Sequence, residues 1–89
     1  MEGFTFEKCK TKGAYSAKLT LREKLDLKKL KGNFDILSET PVLFLIKAKD
    51  YEIVVHAYGE ILFKNGTNVN EMKAIALRIY SITLGNHFG

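Results

Sequence analysis

Cysteine, proline and arginine are all scarce. The 89 residues include one cysteine, Cys9, one proline, Pro41, and two arginines. A lone cysteine has no intrachain partner, so a disulfide scaffold is excluded, as is a structural zinc site built from cysteines. Histidine occurs only at His56 and His87, with no His-x-x-x-His or Glu-x-x-His spacing, which argues against a zinc hydrolase. Asp26, Asp35, Glu39 and Asp50 do not pair at helical spacing, so no dicarboxylate acid–base site is implied. Gly13, Gly32, Gly59 and Gly66 are scattered turn glycines rather than a phosphate-cradling loop. No apolar run approaches the ~20 residues that span a bilayer. Met1-Glu2-Gly3-Phe4 does not open a basic segment leading into an apolar stretch, so no secretory signal is expected. Cys9, among Lys8, Lys10 and Lys12, reads as a strand cysteine without a role. The expectation is a cytoplasmic, non-catalytic protein without a cofactor, metal or membrane partner.

What is present is an ordinary globular composition. Hydrophobic residues make up 46% and charged residues 27%, more apolar than a disordered chain carries. The length suits one domain, residues 1–89, burying roughly 60–70% of the surface its unfolded chain exposes. The net charge is +4, and it is unevenly spread. Residues 1–49 hold 11 basic and 6 acidic groups, whereas residues 50–89 hold 3 and 4. A lysine-rich half attracts polyanions through counterion release. It equally describes a solvated face that keeps a small protein in solution. Twelve lysines against two arginines weaken the nucleic-acid reading, because lysine is a point charge and arginine the bidentate reader.

Periodicity supplies the elements. Phe4 to Cys9 alternates apolar and polar residues, an added edge strand or a loose arm within residues 1–13. Tyr15, Ala17, Leu19 and Leu21 alternate with polar residues as a half-buried strand. Glu23 to Lys31 changes period, with Leu27 and Leu30 three apart and Gly32 as a stop, which predicts a short helix. Phe34 to Thr40 reads as irregular. Val42 to Ile46 reads as a strand, and Tyr51 to Tyr58 is the strongest strand, rich in β-branched and aromatic residues. Gly59 breaks it, Glu60 to Lys64 follows, and Asn65-Gly66 is a turn dipeptide. Met72, Ile75, Ala76, Ile79 and Ile82 form one apolar face of a final helix capped by Asn68 or Asn70 and ended by Gly85. The order β-α-β-β-β-α predicts an α+β fold, a curved antiparallel sheet with two helices packed on one face.

Two helices on one face leave the other face open. Parity places Ile53, Val55, Ala57, Ile61, Phe63, Val42, Phe44 and Ile46 inward. Leu43, Leu45, Lys47, Val54, His56, Leu62 and Lys64 then face outward, a mixture of aliphatic residues and lysines. Such a face reads as a contact surface.

The ordered elements resemble one repeat of the TATA-box-binding protein family. Leu25-Asp26-Leu27-Lys28 is similar to the family's first-helix start, and Val42-Leu43-Phe44-Leu45-Ile46-Lys47 to its Val-Ile-Met-Arg-Ile-Arg strand. Gly59 falls at the family's hairpin glycine, Lys73 and the helix through Ile82 follow in register, and the resemblance covers residues 14–84. It implies a TBP-like half domain whose concave sheet face meets DNA, with Ser16, Lys18, Val54, Leu62 and Lys64 at contact positions. The chain departs from the family where it matters for DNA. The positions of the wedge phenylalanines that kink DNA hold Glu39 and His56, and the strand arginine is Leu45. The segment between the first helix and the next strand is also shorter. A single repeat is half of a saddle, which a homodimer would complete.

Two function classes follow. The first is a nucleic-acid-binding module: DNA or RNA would lie on Ser16, Lys18, Leu43, Leu45, Lys47, Val54, His56, Leu62 and Lys64, with Lys8, Lys10 and Lys12 as a basic flank. The alternative is a protein-interaction or self-association module using the same semi-apolar face.

Overall fold

Alternation of buried and solvent-facing residues runs through Tyr51–His56, where Tyr51, Ile53 and Val55 are buried and Glu52 is exposed. The same period organises the whole sheet in the computed structural model, which describes residues 3–8, 14–20, 23–64 and 68–84. Among these residues there are six strands: β1 (Phe4–Lys8), β2 (Tyr15–Leu19), β3 (Asp35–Glu39), β4 (Leu43–Ala48), β5 (Tyr51–His56) and β6 (Glu60–Phe63). They form one antiparallel sheet in the order β1-β2-β6-β5-β4-β3. The chain β3-β4-β5-β6 is a meander, as short connections require. β2 closes beside β6, and β1 folds back on β2, so β1 and β3 are the edges.

One helix, α1 (Val69–Leu84), lies on one face. The Asn68 side-chain oxygen accepts the Glu71 backbone N–H at 3.0 Å, which caps the first turn. Met72, Ile75, Ala76, Ile79, Tyr80 and Leu84 are buried against Ala17, Phe44, Ile46, Ile53, Val55, Ile61 and Phe63 of the sheet. Tyr80 donates its hydroxyl to the Gly59 carbonyl at 2.7 Å in the interior. At the helix start, Glu71 accepts hydrogen bonds from Lys49 Nζ and the Tyr51 hydroxyl, both at 2.8 Å, which ties α1 to the β4–β5 turn. Lys49 next to this carboxylate, and then the Tyr51 hydroxyl, hold Glu71 below the ordinary carboxylate range, while the same hydrogen bond raises Tyr51.

The fold is α+β, but the second expected helix is absent from Glu23 to Lys31. Only Leu27–Leu30 turns, as a 3-10 helix of four residues. Leu25 and Leu27 are both buried, two apart, which is the period of extended chain. The backbone N–H of Leu25 donates to Ala57 at 2.7 Å and that of Asp26 to Thr83 at 3.4 Å, so these groups tie the segment sideways to the sheet end and to α1. The Asp26 side chain makes no cap hydrogen bond, and four residues fall short of a helical nucleus that sustains itself. The 3-10 helix nevertheless does the covering work expected there, since Leu27 and Leu30 are buried beside α1.

Three smaller expectations are also corrected. The irregular stretch Phe34 to Thr40 contains β3, whose register shifts between Ile36 and Ser38; that bulge hides its two-residue period. Val42, placed inward by parity, is 64% exposed, because it lies ahead of β4 in a bend after Pro41. β5 ends at His56, and Ala57 and Tyr58 form a turn rather than more strand. The N-terminal segment joins the sheet as β1, pairing Phe4 with Leu19 through to Lys8 with Tyr15. Cys9, Gly13, Asn65-Gly66, Gly85 and His87 lie outside the described residues.

Candidate functional site: the open sheet face

The cross-strand register fixes which side chains share the face away from α1. A single row runs across all six strands: Glu7 opposite Ser16, Ser16 opposite Leu62, Leu62 opposite Val54, Val54 opposite Leu45, and Leu45 opposite Ser38. One end of the face carries Lys18 opposite Glu60, and His56 opposite Leu43. The other end carries Lys64, Glu52, Lys47 and Asp35, with Glu52 opposite Lys47 and Lys47 opposite Asp35. All nine residues expected at the contact surface, from Ser16 to Lys64, therefore lie on this one face. Lys8 does not: it pairs with Tyr15 on the helix side of the sheet edge. Lys10 and Lys12 lie outside the described residues.

The middle of the face is aliphatic. Leu43, Leu45, Val54 and Leu62 are half-buried by one another, neighbours across strands at the ~5 Å spacing where side chains touch. Near one end His56 stacks on Tyr58 at 5.0 Å, and the Tyr58 hydroxyl donates to Glu60 at 2.7 Å. Tyr58 is 57% exposed, so an aromatic ring stands at the rim beside Val42. Ser16 is the face's buried polar residue, a small side chain between Glu7 and Leu62.

Electrostatically the face is balanced. Lys18, Lys47 and Lys64 are met by Glu7, Asp35, Glu52 and Glu60. Each lysine has a carboxylate across the ladder: Lys18 has Glu60, Lys47 has Glu52 and Asp35, and Lys64 Nζ stands 3.7 Å from Glu52. Since the whole chain is +4, its excess positive charge lies elsewhere. Lys24, Lys28, Lys29 and Lys31 cluster around the 3-10 helix, where Lys31 pairs with Glu39 at 2.9 Å. The four carboxylates were missed among the candidate contacts, yet the sequence carries the signal. Glu52 and Glu60 share parity with Val54, His56, Leu62 and Lys64, so strand alternation alone places them on this face.

The two positions aligned with DNA wedges are separated. His56 lies on the open face, whereas Glu39 pairs opposite Phe44 on the helix side. A concavity of about 760 Å³ lies on that side, between the residue 24–28 segment and the β3–β4 connection, floored by Leu25, Leu27, Phe44 and Ala57. Lys24, Lys28, Asp26 and Glu39 ring it, a mixed set with no convergent nucleophile and base. Among the described residues no three of His, Cys, Asp and Glu converge as metal ligands, and no helix is long and apolar enough to cross a membrane. No protein-family model, curated protein or solved structure matches the chain.

Proposed function

We propose that this chain is a small non-catalytic interaction module whose open sheet face docks on another polypeptide. One observation carries the reading: an aliphatic row, Leu62-Val54-Leu45 with Leu43 beside it, is bounded at both ends by lysines that each face a carboxylate. A polyanion laid on this face meets four carboxylates along with three lysines, so there is little counterion release to drive binding. A protein surface gains from the apolar row and tolerates a rim of mixed charge. The resemblance to a TATA-box-binding-protein repeat bears on this proposal only through the sheet, with DNA kinking outside it.

Nucleic-acid binding stays as the second reading, moved to a different surface. Lys24, Lys28, Lys29 and Lys31 lie within eight residues on the helix side, and the pI is near 9.2. Fluorescence anisotropy with labelled duplex DNA, single-stranded DNA and RNA at about 50 and 200 mM salt separates the two. The expected result is no binding that depends on Lys18 or Lys64. Salt-sensitive binding abolished by the K18E/K64E double variant would overturn the interaction reading. Loss in K28E/K29E instead would assign the polyanion to the helix side and leave the open face to a protein.

A further inference from the structure

The occupant of the open face is legible in its charge pattern. We infer that it is a second copy of this chain, stacked open face to open face about a two-fold axis running along the central row. The inference rests on the interaction reading and deepens it. Such an axis keeps each strand over its own copy and exchanges the two ends of the face. Leu62, Val54 and Leu45 then meet the same residues of the second copy, so the aliphatic row is buried against itself. Lys64, at one end of β6, is brought over the partner's Glu60 at the other end of β6. Glu52, at one end of β5, is brought over the partner's His56. The symmetry repeats both contacts, so two copies supply two pairs of each kind.

An isologous contact needs a surface complementary to itself. Most faces fail because the axis sets like charges together, and here it does so at the exposed β1 edge, where Glu7 in the row meets the partner's Glu7. Along β6 the two rims differ in sign, with Lys64 at one end and Glu60 at the other, and the two-fold converts that difference into attraction. Aligned stacking of two sheets about 30° apart and ~10 Å deep is a standard packing. The face is six strands wide, about 29 Å at ~4.8 Å per strand, and about 17 Å along each strand. That projects to roughly 500 Å², below the ~800 Å² per partner of a standard interface, so the dimer is weak and concentration-dependent.

Sedimentation equilibrium of the full chain from about 5 to 500 µM tests this, with dissociation in the micromolar range expected for a small interface. V54K raises the dissociation constant by at least about tenfold, since a charge enters the apolar row. K64E raises it severalfold, and the swap K64E/E60K recovers most of that loss. The swap separates contact between copies from damage within one. Inside a chain, K64E sets a carboxylate beside Glu52, and E60K adds a like-charge pair with Lys18, so a purely internal effect worsens in the double variant. Circular dichroism confirms that each variant folds, and K28E on the helix side leaves dimerisation unchanged. A monomer throughout the concentration range would overturn the inference, as would a dimer indifferent to V54K and K64E. Either result leaves the interaction reading standing, whereas nucleic-acid binding abolished by K18E/K64E removes both.

Discussion

Tyr80→Phe removes one oxygen and tests what holds the open face in register. The Tyr80 ring is fully buried and lies 5.2 Å from Phe4; phenylalanine keeps that packing. What is lost is the 2.7 Å hydrogen bond to the Gly59 carbonyl. Gly59 is buried at the corner between β5 and β6, so its carbonyl is left with a desolvation cost of ~1–3 kcal/mol. A domain of this length has about 4–13 kcal/mol of stability in total. The variant therefore unfolds about 4–24 °C lower, at ~4–8 °C per kcal/mol. Urea titration and thermal melting by circular dichroism read the change directly. Hydrogen exchange adds location: amides of β6 lose protection before those of β4. A variant within about 0.3 kcal/mol of the parent, the scatter of an uninvolved site, would refute the assignment of Tyr80 as the pin of this corner. Burial, and then the nearby Glu60 carboxylate, also push the Tyr80 phenol above its ordinary range, which favours the neutral, donating form.

The corner itself gives a paired test. Gly59 has φ +115 and a Cβ there would sit 3.0 Å from Leu19 Cδ1 and 3.4 Å from the Glu23 carbonyl; Gly32 has φ +88 with nothing within 4 Å. Both alanine variants are strained by about 1–3 kcal/mol, and G59A is expected to be the worse in urea titration; equal losses would remove the crowding argument. Asn68→Ala takes away the α1 cap and costs ~0.5–2 kcal/mol by the same assay, and no loss would mean that Glu71 N–H is satisfied elsewhere. Glu71 is held low in the folded state by Lys49 and Tyr51, so its contribution is present above the unfolded pKa and lost as pH falls through the folded one. Stability of the parent over E71Q is therefore expected at about pH 7 and lost by about pH 2; a gap unchanged in acid would refute the carboxylate's role.

Strand parity was the most legible part of this sequence. Tyr51 to His56, Glu60 to Phe63 and Tyr15 to Leu19 sort correctly by alternation, because each has one face buried under α1. Asn68 and the Met72-Ile75-Ala76-Ile79 stripe likewise marked the helix, although Tyr80, four residues after Ala76, was missed from the stripe. The failures share a cause: tertiary partners replaced local ones. Leu25 to Lys31 carries a helical spacing, but the N–H groups of Leu25 and Asp26 are taken by Ala57 and Thr83 across the fold, while those of Lys29 and Lys31 bond back locally as a short 3-10 turn. Asp35 to Glu39 carries no clean alternation, because its bulge moves Leu37 out of phase while β4 still pairs with it. Neither partner is visible from the segment itself.

Charge shows the same distinction between sum and arrangement. A net of +4 and a lysine-rich first half point to a polyanion, and both quantities add residues that never share a surface. Pairing β2 with β6 brings Lys18 against Glu60, and pairing β5 with β4 brings Glu52 against Lys47, across separations in sequence that no running total resolves. Exposed ion pairs of this kind add little stability, about 0–1 kcal/mol each. Their effect is to set the potential: within a Debye length of ~8–10 Å each lysine is offset by its carboxylate. Among the described residues the aliphatic row is then the uncompensated feature of this face, and on the proposed reading the opposite signs along its rims set the register of a partner. On this reading a salt-dependent attraction to nucleic acid is expected from lysines off this face, such as those around the 3-10 helix on the opposite side of the sheet.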